Sequence, residues 1–198
     1  MGGVLLTNGW DHAERAAAVA EFHLDAQPFT ARHMAAFEAW ERDEITLDAY
    51  LDAVIFNEPR AFSREEFFAF MLAQSKLLPD GAMEILKEIA AAGRCLVGAL
   101  NNEARATNEY RFREFGLRAI FDVALSSCYL DLRKPEPAIY RRALDILGRP
   151  PQRILFIDDR EENVAGAAAA GIQAIRFEGA AALRRQLADL RVLEQPAV

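Results

Sequence analysis

The sequence predicts an α/β protein: a parallel sheet covered by helices on both faces, with a helical bundle inserted near the N-terminus. Two patterns carry the prediction. Between about Asp11 and Leu78 apolar residues recur at helical spacing with no convincing strand, whereas from Pro79 onward short apolar runs alternate with helical stretches. A third observation, the apolar Gly3-Val4-Leu5-Leu6, reads as the tail of a strand cut short. It assigns residues 1–10 to the same sheet unit as 79–198 and leaves 11–78 as the insertion.

Within the insertion, helices are expected around residues 16–24, 34–40, 47–56 and 67–77. Ser63 followed by Glu66 has the form of a capping box, in which hydroxyl and carboxylate satisfy each other's backbone amides at a helix start. A helix over 79–92, stopped by Gly93, then leads into an apolar strand at 95–100. The pairing repeats: helix 103–115, stopped by Gly116, before strand 121–125; helix 137–147, stopped by Gly148, before strand 153–157; helix 163–170, stopped by Gly171, before strand 172–177. A helix over 180–190 closes the pattern. Strands apolar along their whole length belong to a sheet buried on both faces, a Rossmann-like three-layer core.

The composition narrows the chemistry. Hydrophobic residues make up 52% and charged residues 27% of the 198, a balance that supports a real core and excludes disorder and fibrous repeats. Thirty acidic against 23 basic residues give a net charge of −7, and no basic stripe offers itself to a phosphate backbone, so nucleic acid is not expected as a partner. Cys95 and Cys128 lack metal-ligand spacing and sit in or beside apolar runs, which predicts buried free thiols in a reducing cytoplasm. No apolar run approaches the roughly 20 residues of a membrane span, and the N-terminus has no signal-peptide pattern, so neither membrane insertion nor export is expected.

In an open parallel sheet, ligands bind outside the carboxyl ends of the strands, where loops and helix N-termini converge. Asn101 and Asn102 follow one apolar strand; Ser126 and Ser127, with Lys134 in the same connection, follow the next; Asp158 and Asp159 follow the third. Singly, each has a plain structural role, since aspartate and asparagine cap helix starts and a lysine before proline is surface. Together they form a hard-oxygen pair suited to Mg2+, a lysine to neutralise phosphoryl oxygens, and an amide to donate to another.

Four segments, Gly-Gly-Val-Leu-Leu (2–6), Leu-Asn-Asn-Glu (100–103), Arg-Lys-Pro-Glu-Pro (133–137) and Phe-Ile-Asp-Asp-Arg-Glu-Glu-Asn (156–163), occur in this order and spacing. With them the chain resembles the haloacid-dehalogenase superfamily of hydrolases with a helical cap of C1 type, over essentially its whole length. The resemblance implies that 11–78 is a cap closing over the substrate and that Lys134 steadies nucleophile and phosphate. It also implies that Asp158 and Asp159 hold Mg2+, Asp159 directly and Asp158 directly or through water. Asn101, standing where the family has serine or threonine, and Asn102 beside it are then phosphate donors.

The family's nucleophilic aspartate lies two residues before the first glycine, hence immediately before Met1, and Gly2 stands where a second aspartate is frequent. Without the nucleophile the aspartyl-phosphate route is closed, and the polypeptide as written is expected to be nearly inactive. The same segment supplies the family's central strand. At about 1.5–3 kcal/mol per buried large side chain, losing it rivals the roughly 5–15 kcal/mol that holds a domain together. The expectation is an internal methionine taken as residue 1, with upstream codons encoding an apolar run ending in aspartate. The intact protein is expected to be a Mg2+-dependent phosphatase of a small phosphorylated metabolite; a metal-independent 2-haloacid dehalogenase and a non-catalytic binding or regulatory protein remain open. Trp10, Trp40, Tyr50 and Phe56 are assigned to the core, and Arg111 and Arg113 to a solvated helix face.

Overall fold

Four helices follow the first ten residues: α1 (His12–Glu21), α2 (Ala26–Glu41), α3 (Leu47–Val54) and α4 (Arg64–Ala73). The computed structural model describes residues 1–193. Asp11 and Glu14 close a capping box at the start of α1, and Ser63 and Glu66 close the predicted one at the start of α4. Helix α1 packs on α4 and α2 on α3. Between them Phe29, Trp40, Tyr50, Leu51, Val54, Phe67 and Met71 form an apolar core of the bundle's own.

After α5 (Ala82–Ala92) the alternation appears as predicted in kind: β1 (Gly98–Asn101), α6 (Arg105–Glu114), β2 (Val123–Ser126), the single turn α7 (Ser127–Leu130), α8 (Pro137–Leu147), β3 (Leu155–Asp158), α9 (Glu161–Ala169), β4 (Gln173–Arg176) and α10 (Ala180–Asp189). Gly148 ends α8 in the left-handed region, at φ 58°, where a side chain would be strained. Residues of α5, β1, α6 and α10 share one core with Val4, Leu5 and Leu6; Ile139, Tyr140, Phe156, Ala167 and Ile172 form a second core on α8, α9, β3 and the approach to β4. Helices therefore flank the strands on both sides.

Three expectations are corrected. The strands pair in parallel as β1 with β2 and β3 with β4, giving two two-stranded sheets among the described residues rather than one continuous sheet. Residues 3–6 form a turn, not a strand tail. Gly3 N–H donates to the Leu6 carbonyl at 2.8 Å, and the Leu5 and Leu6 N–H groups turn back to the Met1 carbonyl, so these groups are spent within the segment. Leu6 instead bridges Leu77 antiparallel, which lays the chain entering the bundle beside the chain leaving it. Finally, Cys128 is buried but Cys95 is exposed. The ladder starts at Gly98, so the first residues of the apolar run lie in the approach to the strand, and Leu96 beside Cys95 is 61% exposed.

Candidate active site

The parallel registers place Asn101 opposite Ser126 and Asp158 opposite Arg176, at the C-terminal ends of the ladders. There a cavity of about 370 Å³ opens between the sheet rim and the bundle. Asn101, Asn102, Lys134, Asp158 and Asp159 all line it, whereas Ser126 and Ser127, picked from the same strand ends, do not: Ser126 bonds Asn101 from behind and Ser127 the Glu41 carbonyl.

Lys134 and Asp158 meet directly: Nζ donates to Oδ2 at 2.5 Å, with both side chains 6% exposed. The other carboxylate oxygen, Oδ1, accepts from the Asn163 amide at 2.8 Å and from the Arg160 N–H at 3.0 Å. Burial alone pushes the Asp158 carboxyl up, but the Lys134 ammonium and these hydrogen bonds together hold it below the ordinary carboxylate range. Asp158 is thus both a helix-start acceptor and one half of a buried ion pair. Its neighbour differs. Asp159 makes no ion pair among the described residues, and burial, then repulsion from Asp158, raises its carboxyl. The turn at residues 2–6 backs onto it so closely that a Cβ at Gly3, where φ is +71°, would stand 2.2 Å from the carboxylate.

The two asparagines do different work. Asn102 clasps the backbone of Lys134 at both ends, its amide donating to the Lys134 carbonyl and its oxygen accepting from the Lys134 N–H, each at 2.9 Å. Asn101, buried at the rim, donates to Asn108 Oδ1 at 3.0 Å and accepts from the Ser126 hydroxyl at 2.8 Å. The segment carrying Lys134 is also gripped by the bundle. Arg133 binds Glu38 and Glu41, and Glu136 binds Arg42, so both flanks of Lys134-Pro135 are tied to the C-terminal turns of α2. Burial raises the Glu41 carboxyl, and Arg133 opposes the rise.

Sequence reasoning missed several of these groups. Arg111, placed on a solvated face, is 2% exposed; it donates to Glu103 Oε2 at 2.7 Å, to Ser75 Oγ at 3.0 Å and to the Thr7 carbonyl at 3.1 Å. Thr107, Asn108, Arg111 and Phe112 form one buried helical face, a mostly polar stripe that a search for apolar periodicity passes over. Arg113 is exposed, as expected. Tyr50 and Trp40 are core, yet Trp10 and Trp40 also line the cavity.

On the bundle side, Tyr50 Oη accepts from Trp10 Nε1 at 2.9 Å and lies 2.8 Å from His33 Nδ1. Since the indole can only donate, the buried hydroxyl keeps its own proton bonded only by giving it to His33, whose Nδ1 is therefore the acceptor. Burial, reinforced by Arg15, pushes His33 down to about 4. The neutral ring is thus the folded form. Its stability contribution is complete above the unfolded value of 6.5 and is lost as pH falls toward 4, a decline of roughly 3 kcal/mol at most. Urea titrations at pH 7, 5.5 and 4.5 should show a His33→Gln variant losing correspondingly less stability than the wild type over this interval.

Comparisons with known proteins agree on the type of fold. The family model of haloacid dehalogenase-like hydrolases matches residues 2–171. Flavin mononucleotide hydrolase 1 of Arabidopsis thaliana is 37% identical over 119 residues, covering 57% of this chain and 45% of the relative. (S)-2-haloacid dehalogenase 4A of Burkholderia cepacia is 31% identical over 99 residues, covering 50% and 42%. The chain thus spans less than half the length of these curated relatives. Among solved structures, a HAD family enzyme of Bacteroides thetaiotaomicron, in complex with magnesium and inorganic phosphate, superposes with a TM-score of 0.76 at 20% identity, covering 90% of this chain and 91% of that one.

Proposed function

From the premise that this chain belongs to the haloacid dehalogenase-like hydrolases, its family's model matching residues 2–171, we propose that its site serves Mg2+-dependent hydrolysis of a small phosphomonoester. The observation that carries this reading is the division of labour in the acidic pair: Asp158 is neutralised by Lys134, while Asp159 makes no ion pair among the described residues and lines the same cavity. A free hard-oxygen carboxylate beside a buried ammonium suits a cation and a phosphate held together.

The residues present fit Mg2+. No group of three or more His, Cys, Asp and Glu side chains suited to a metal occurs among the described residues. Mg2+, however, is commonly held by one or two carboxylates, with water and substrate phosphate completing the shell. Asp159 would be the direct ligand, and Asp158 Oδ1 a direct or water-mediated one. Bound there, the ion would supply charge to stabilise the phosphoryl group in transfer. Lys134, fixed through its backbone by Asn102 and through its ammonium by Asp158, would neutralise a phosphoryl oxygen without having to reorganise. Asn101 would place a side-chain amide at the same rim. The bundle would exclude water, with the α2 contacts to Arg133 and Glu136 holding it over the site.

In this reading the attacking carboxylate would belong to a residue joined to the Met1 nitrogen. The Met1 amine is buried, with Lys134, Asp158, Arg111 and Asp159 all near enough to act on it electrostatically, and burial first, then Lys134, lowers its pKa to about 5. A residue joined to that nitrogen would enter the same cluster. The test compares residues 1–198 with a polypeptide extended upstream by an apolar segment ending in aspartate. Mg2+-dependent hydrolysis of p-nitrophenyl phosphate by the extended chain alone is expected. Halide release from 2-chloropropionate without metal would favour dehalogenation instead, and silence in both assays a non-catalytic binding role.

A further inference from the structure

Arg15 is 7% exposed and lines the cavity from the bundle side, yet it has no carboxylate partner among the described residues. Its guanidinium donates to the Trp10 carbonyl at 2.7 Å and to His12 Nδ1, 3.2 Å away. The nearby carboxylate of Asp11 is spent on Arg160 Nη2, at 2.8 Å, and on the His12 N–H. Every other strongly buried cation of this region is paired: Arg111 with Glu103, and Lys134 with Asp158. An arginine cannot shed its charge as a buried lysine can, so a nearly buried guanidinium without a counter-charge is costly unless something anionic meets it.

His33 points the same way. With Nδ1 accepting from Tyr50, its Nε2 carries the proton; that N–H has no acceptor among the described residues, but it is not sealed from solvent either, and His33 lines the cavity. Its ring stacks on Phe37, centroids 5.2 Å apart. A fixed cation and a neutral N–H donor over an aromatic wall form a receptor for an oxyanion at the end of the cavity contributed by the bundle.

We propose that Arg15 and His33 form a second anion subsite, so that the molecule accepted here carries a carboxylate or a second phosphate on its leaving group in addition to the phosphate held at Lys134. This rests on the phosphatase reading for the first anion only; the second subsite has its own residues. A group bonded to both ends would be discriminated by Arg15, because an uncharged leaving group leaves the guanidinium unmet.

The test uses residues 1–198 and non-hydrolysable probes, read by calorimetry with Mg2+ present. 4-Phosphonobutyrate and propane-1,3-bisphosphonate carry a second anion, while butylphosphonate and methylphosphonate do not. At least one of the two doubly anionic probes is expected to bind tenfold or more tightly than butylphosphonate, and which one does distinguishes carboxylate from phosphate. In Arg15→Gln that advantage should fall below twofold while methylphosphonate affinity stays within twofold of wild type. Equal binding of butylphosphonate and both dianionic probes by the wild type overturns the proposal even if the variant does not fold, as does an advantage that survives the substitution. If no phosphonate binds, the phosphate reading fails; the subsite then stands only if glutarate binds and requires Arg15.

Discussion

Replacing Lys134 by methionine should cost about 3–5 kcal/mol of stability at pH 7, the usual penalty for leaving one member of a buried ion pair alone. The reason lies in Asp158. With its ammonium gone, that carboxylate keeps only the Asn163 amide and the Arg160 N–H in a site 5% exposed to solvent. The pH dependence distinguishes this mechanism from simple loss of packing. In the wild type the depressed Asp158 carboxyl contributes stability that is present above its unfolded value of 3.8 and is lost as pH falls through its folded value. In Lys134→Met the carboxyl loses the strongest influence opposing burial, so its value rises and the variant loses less stability on acidification than the wild type. The gap between the two proteins, measured by urea unfolding from pH 7 to 4, should therefore narrow; a constant gap would mean that the ion pair is not the cause. Phosphate affinity should fall about 10- to 100-fold, the worth of one charge-assisted hydrogen bond.

Replacing Arg111 by methionine should be comparably severe for a different reason. Arg111 joins three pieces of chain: Glu103 at the start of the α6 region, Thr7 on the way into the bundle and Ser75 on the way out. Its guanidinium also fills the space at Gly9, where a Cβ would stand 1.7 Å from Nη2. Losing it strands Glu103, whose side chain is 13% exposed, and frees both connections to the bundle. A loss of about 3–5 kcal/mol corresponds to a fall in Tm of about 6–20 °C for a chain of this size. The double variant Glu103→Gln with Arg111→Met should recover part of that fall, because the stranded charge is gone, and scanning calorimetry of the four proteins gives the coupling. Strict additivity would contradict a direct pair.

The order of helices and strands was legible because it rests on local signals. The Ser63/Glu66 box, the glycine after α8 and the apolar run of β3 act within a few residues and survive in the fold. Convergence at the rim was legible too: parallel pairing puts Asn101 and Ser126 at one carboxyl edge, and Asp158, at the carboxyl end of the separate β3–β4 pair, lines the same cavity as Asn101. Pairing was less so. Nothing in Gly3-Val4-Leu5-Leu6 says whether its backbone bonds a neighbouring strand or turns on itself, and apolar content alone favoured the first. Arg111, Arg15 and His33 escaped for a related reason. Arg111 is held by partners 36 and 104 residues away, Ser75 and Thr7, and His33 by Tyr50, 17 away, and such pairings leave no period in the sequence. Arg15 bonds locally, to Trp10 and His12, and its burial comes from the cavity wall it lines. The exposed Cys95 is the converse, an apolar-looking residue that long-range pairing leaves outside the ladder.

That Lys134, Asp158 and Asp159 hold a divalent cation and a phosphate together is most directly examined by titrating inorganic phosphate into residues 1–198 with Mg2+ present and with Mg2+ removed by chelation. Binding should be strong only with the cation, and Asp159→Asn should weaken it to the chelated level while leaving the fold intact. Phosphate affinity that is the same with and without Mg2+, or that survives the loss of Asp159, would contradict the account.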